Sequence, residues 1–163
     1  MQNMTSELRH GGTAGRAHPS EISVHARPDG AGWTIAMHVE GRPSERIDYS
    51  KDALGLRKHD WHEIDFRLDE PTGKLAFHPD KHEAIWVARG TESEAPACPS
   101  APSRDHGVVP ISVADQLLRV RNDNAEPCLL SFRLNFIAAG SGNDEIVAFL
   151  DPIMGNQNGG AHR

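Results

Sequence analysis

The side chains with the most chemistry within reach of one another are His59, Asp60, His62, His78, Asp80 and His82. Imidazole and carboxylate suit zinc or another divalent first-row cation. His59, His62, His78, Asp80 and His82 therefore form the candidate metal set, and a divalent metal such as zinc is the candidate cofactor of a small metal-dependent enzyme. Their spacing is awkward. His59 and His62 are three apart, which shares a face on a helix but opposes faces on a strand. Pro79 argues against a helix already running through His78. What could gather them is a hairpin: if a strand ending near Leu68 pairs with one starting near Leu75, His62 and His78 meet at its far end. Ten histidines in one chain also create neighbours by chance. Solvated histidines near strand ends, with no cofactor, are the favoured expectation.

A second group is basic. Arg119, Arg121 and Arg133 lie on the polar faces of two alternating runs joined by a short turn, 122–126. If those runs pair, the guanidinium groups form a strip for an anionic ligand. Ion pairing with Glu63 and Asp65 on a neighbouring strand is the expectation ranked ahead of it.

Other chemistries find no footing. The sequence holds no Gly-x-Ser-x-Gly elbow, no Gly-x-Gly-x-x-Gly turn and no Walker loop. Asp69 and Glu70 are adjacent acids in a Pro-Thr-Gly turn and read as solvated. Cys128 has inward parity, Cys98 lies in a loop, and two free thiols are expected rather than a disulfide framework. Trp33 and Trp86 read as core, leaving Trp61 as the candidate for exposure.

The elements that must position these groups are strands. In the window 128–136, Cys128, Leu130, Phe132, Leu134 and Phe136 alternate with Leu129, Ser131, Arg133 and Asn135, the period of a half-buried strand. Two Leu and two Phe on one face offer about 6–12 kcal/mol of burial as an upper bound, so this is the expected central strand. Ile22 to Ala26 and Trp33 to Val39 alternate around Pro28-Asp29-Gly30, the signature of a hairpin. His62, Ile64, Phe66 and Leu68 make a third alternating face, and 84–88 a compact buried strand. Residues 41–50 read as turn-rich, and Ser50 as the cap of one short helix that Gly55 weakens. Val108 to Val113 reads as an edge because of Pro110. Ile146 to Leu150 is apolar at every position and reads as covered on both sides.

Gly and Pro number 15 and 11 among 163 residues, which suits short elements joined by turns. The expected fold is all-β: an antiparallel two-sheet sandwich, Ig-like or jelly-roll-like, of about eight or nine short strands with at most one short helix. Residues 1–20 read as a flexible arm, 21–154 as the domain with a long Pro-rich loop at 90–107, and 155–163 as a flexible tail. A net charge of −6 has the wrong sign for gripping nucleic acid or an anionic membrane. No apolar run reaches spanning length, and the N-terminus lacks a secretory pattern, so a cytoplasmic protein is expected. The leading functional expectation is a non-enzymatic module that binds a protein partner or self-associates through an edge strand. The metal-dependent enzyme is the alternative.

Overall fold

The computed structural model describes residues 15–157, and they form two mixed β-sheets with one short helix, α1 (Lys81–Ala84). The first sheet runs in the order β3 (Arg42–Pro43), β2 (Gly32–Val39), β1 (Ala17–Asp29), β5 (Trp61–Asp69), β9 (Leu117–Asn122), β8 (Val108–Ala114). The second is built on β10 (Cys128–Ala138). One side of β10 takes β6 (Leu75–Phe77) and β7 (Ile85–Arg89). The other side takes β11 (Ile146–Leu150) and β12 (Ile153–Gln157), and β4 (Arg46–Ser50) lies beyond β12. Most pairs are antiparallel, but β1 with β5 and β12 with β4 are parallel, which corrects the all-antiparallel expectation. The strands among the described residues number twelve, against about eight or nine expected.

Alternation along β10 sets the interior. Cys128 is 5% exposed, and Leu130, Phe132, Leu134 and Phe136 are wholly buried. Ile64 and Phe66 on β5, Val24 on β1 and Leu118 on β9 join them in one core drawn from both sheets. The Phe66 and Phe132 rings meet across the sheets with centroids 5.6 Å apart. The β1–β2 hairpin forms around Gly30, whose φ of +64° is the left-handed value that its Asp29↔Gly32 closure needs.

Several boundaries move. β1 begins at Ala17, because Ala17–Ser20 pair with Trp61–Ile64, so residues 17–20 belong to the sheet and not to the arm expected at 1–20; residues 1–14 lie outside the described residues. β12 carries the domain to Gln157, past the expected end at 154, and the tail beyond it is also outside the described residues. The stretch 41–50 is not merely turn: Ile47 and Tyr49 point inward from β4, and β4 lies parallel to β12. The segment after Ser50 forms turns, not a helix. Loop 90–107 contains no strand. It lies over the outer side of the second sheet, where Ser131 donates a hydrogen bond to the Pro96 carbonyl and Trp86 is only 5% exposed.

Candidate functional site

The expected hairpin between the strands near Leu68 and Leu75 does not form, and the metal set falls with it. β5 pairs with β1 and β9 in the first sheet, while β6 pairs with β10 in the second. The chain crosses between sheets at 70–74, and Glu70 makes that crossing. Its carboxylate accepts from the N–H groups of Thr72 (2.7 Å), Lys74 (2.7 Å) and Leu75 (2.9 Å) and from the Thr72 hydroxyl. Burial pushes this carboxyl up, but the Thr72 and backbone hydrogen bonds prevail and hold it below the usual range. Glu70 is 3% exposed, so it is a buried turn former rather than a solvated acid.

Several of the candidate ligands have another occupation. His62 is 1% exposed against Tyr49, with ring centroids 4.7 Å apart, and its Nε2 lies 3.4 Å from the Asn124 amide nitrogen. Burial first, then the charges of His18 and Lys51, lower its pKa to about 4. His78 accepts the Asp80 N–H through Nδ1, and Asp80 caps α1 by accepting the His82 N–H. Asp60, 3% exposed, accepts the N–H groups of Arg57 and Arg16, both at 2.8 Å, and ties the start of β1 to that of β5. These backbone bonds lower its pKa. Among the described residues no three His, Cys, Asp or Glu side chains converge where a metal could sit. His59, His62, His78, Asp80 and His82 are therefore not brought together.

The arginine strip is also divided. Arg119 and Arg121 are on β9 in the first sheet, and Arg133 is on β10 in the second. Arg119 forks onto Asp65 at 2.8 and 3.0 Å, with Glu63 at 3.6 Å. Arg121 lies 4.0 Å over the Trp61 ring and binds Asp123 at 2.7 Å. Arg133 stacks over Phe149 (3.9 Å) and Trp86 (4.6 Å). Strand order, not spacing along the chain, decides which guanidiniums are neighbours.

The surface that stands apart is β11, and its Val147 and Phe149 are 46% and 48% exposed. The expectation of cover on both sides fails here. β11 ends its sheet, with β10 as its paired strand. Across from it lie Trp33 and Ile35 of β2, and together they line a groove of about 540 Å³. β3 pairs with only His38 and Val39 of β2, so the first half of β2 also borders this groove without a strand partner on that side.

Four other strands with an open side, β8, β4, β7 and β6, are guarded. β8 carries Pro110 and a register shift beside it, and Lys81 Nζ donates to its Ile111 carbonyl. β4 presents exposed Arg46 and Asp48, paired at 2.8 Å. Along β7, the Val87 N–H bonds the Ser103 carbonyl at 3.2 Å, and the Ser103 hydroxyl returns to the Val87 carbonyl at 2.9 Å. The Phe77 N–H of β6 bonds the Asp115 carbonyl. Among the described residues nothing of this kind protects Ile146–Leu150, which contains neither charge nor proline. A five-residue run flanked by Asp144, Glu145 and Asp151 was the signal in the sequence: acids at its ends and none within.

No family model matches this chain, and no curated protein matches it. Among solved structures, the crystal structure of a cysteine protease inhibitor from Entamoeba histolytica aligns over 86% of this chain and 95% of its own, at 9% identity. Its TM-score is 0.33, below what identifies a shared fold.

Proposed function

We infer that this chain is a non-catalytic β-sandwich module that binds polypeptide by strand addition at β11. One observation carries the reading: β11 is an edge strand with exposed apolar side chains, whereas β8, β4 and β7 are blunted by proline, charge or loop. An edge strand offers a row of main-chain donors and acceptors, and a groove beside it offers seats for alternate side chains. Val147 and Phe149 supply apolar contact on the exposed side. Arg133 braces the Phe149 ring from below at 3.9 Å, which fixes the ring in place ahead of any partner. A binding role also fits side chains that are engaged structurally: Glu70, Asp60 and Asp80 each satisfy backbone N–H groups.

Panning a displayed library of short random peptides against this protein tests the reading, with a Val147→Lys/Phe149→Lys variant as counter-selection. Enrichment of strand-forming sequences that slow hydrogen exchange in 146–150 is the expected result. If nothing is enriched over the lysine variant, or if the enriched peptides protect another surface, the edge is not the binding site.

A further inference from the structure

Resting on that reading, we propose that the occupant of β11 is an extended segment of another protein, apolar at alternate positions in its middle and carrying Lys or Arg at both ends. The charges around the strand set this chemistry. Asp144 and Glu145 stand exposed at one end of β11 and Asp151 at the other. Among the described residues none of these three acids forms a salt bridge with a basic side chain. The apolar stretch between them ends where the acids begin, so a strand laid along it meets negative charge at each terminus. Opposite charges placed across neighbouring strands are favourable and like charges are not.

The same geometry excludes a second copy of this chain as the natural partner. Antiparallel pairing about a two-fold at Ala148 would set Val147 against Phe149 of the other copy, a good apolar match. It would also set each Glu145 against Asp151 of the other copy, acid facing acid at both ends. Sliding the register by two residues places Phe149 opposite Glu145, or Val147 opposite Asp151. No register that keeps the apolar side chains on one face escapes the acids. A net charge of −6 on each chain adds long-range repulsion. A basic-ended segment meets none of these penalties. Its apolar side chains would share the groove lined by Trp33, Ile35 and Phe149.

Three synthetic probes test the proposal with the full-length protein: Lys-Lys-Val-Thr-Val-Thr-Val-Lys-Lys, its glutamate-ended counterpart, and a lysine-ended version with serine for each valine. Binding is read by NMR shifts of the 144–151 amides, up to about 1 mM peptide. The lysine-ended valine peptide should bind about tenfold more tightly than the glutamate-ended one, and raising salt should close most of that gap. Glu145→Gln/Asp151→Asn should weaken it about fivefold, and Val147→Lys/Phe149→Lys at least tenfold. Both pairs of changes are at exposed positions, and an otherwise unchanged amide spectrum verifies folding. If both valine peptides bind 144–151 equally, strand addition stands and the charge preference is overturned. Equal binding by the serine peptide would make the contact ionic only and overturn the apolar seat. No shifts in 144–151 with any probe, or binding untouched by the lysine variant, overturns the edge reading as well. Dimerisation through β11 in the absence of peptide, seen by light scattering, would make a second copy the occupant and refute the proposal.

Discussion

Asp105→Ala should be strongly destabilising although the residue lies in a loop. Asp105 has a side chain only 5% exposed, and it ends the long loop between β7 and β8. Its carboxylate receives Arg89 Nε at 2.8 Å and Nη2 at 2.7 Å, and the N–H groups of Gly107 at 2.9 Å and Val108 at 3.1 Å. Removing it leaves a guanidinium 22% exposed, lying 3.2 Å from the Cys128 sulfur. Breaking a buried pair from one side costs about 3–5 kcal/mol. Arg89 keeps Glu126 at 3.3 Å and some water, which places this case near the low end, about 3 kcal/mol. The loss has a second consequence. The same loop presents Ser103 to Val87, so freeing it uncovers the β7 edge and opens a second site for strand pairing. Urea unfolding followed by tryptophan fluorescence gives the stability change. Hydrogen exchange at Val87 and Val108 gives its location, and light scattering against concentration reports the exposed edge. Burial pushes the Asp105 carboxyl up, yet the hydrogen bonds of Arg89 and Gly107 outweigh it and hold it below the usual range. Its contribution is therefore complete above about pH 4 and lost as pH falls through the lower folded value. Wild-type stability within about 0.5 kcal/mol, with Val87 still protected, would refute this account of the loop.

Other outcomes follow from the core. Phe132→Ala removes a fully buried ring in contact with Phe66 and should lower unfolding free energy by about 3–5 kcal/mol in the same urea assay. His62 titrates at about 4 in the folded chain against 6.5 as its ordinary value, so the unfolded chain binds the extra proton between those limits. Stability should accordingly fall as pH drops from 6.5 towards 4, by about 3 kcal/mol in all, and hold steady above 6.5. His62→Phe should flatten that part of the urea midpoint–pH curve; an unchanged slope would assign the acid sensitivity elsewhere.

How much of this was legible in the sequence depended on whether the signal was local. The β10 alternation, the Pro-Asp-Gly hairpin and the Pro110 edge are each written within a few neighbouring residues, and the structure places all three accordingly. Pairing between distant strands is not. Asp69-Glu-Pro-Thr-Gly73 reads as the turn of a hairpin because hairpins use such residues. Here the Glu70 carboxylate saturates the turn's N–H groups and sends the chain to the opposite sheet. That one exchange separates His62 from His78, and a second change of sheet, between β9 and β10 at 123–127, separates Arg133 from Arg119 and Arg121. β4 escaped notice although Arg46-Ile-Asp-Tyr-Ser50 alternates, because a parallel partner more than a hundred positions away, β12, leaves no local trace.

The case of β11 shows why composition alone misjudges exposure. A run with no polar residue suggests cover on both faces, since exposing Val147 and Phe149 forgoes burial that each could gain elsewhere. Local stability gives no reason to keep such a strand uncharged. A lysine at 147 would sit in water at little energetic loss and would guard the edge, as Arg46 and Asp48 do on β4. Acids stand immediately outside the strand at both ends and nowhere inside it, so guarding by charge stops where a partner's backbone would have to lie. On the proposed reading, the exposed side chains and the flanking acids are two halves of one recognition surface, with apolar contact setting strength and charge setting partner and register.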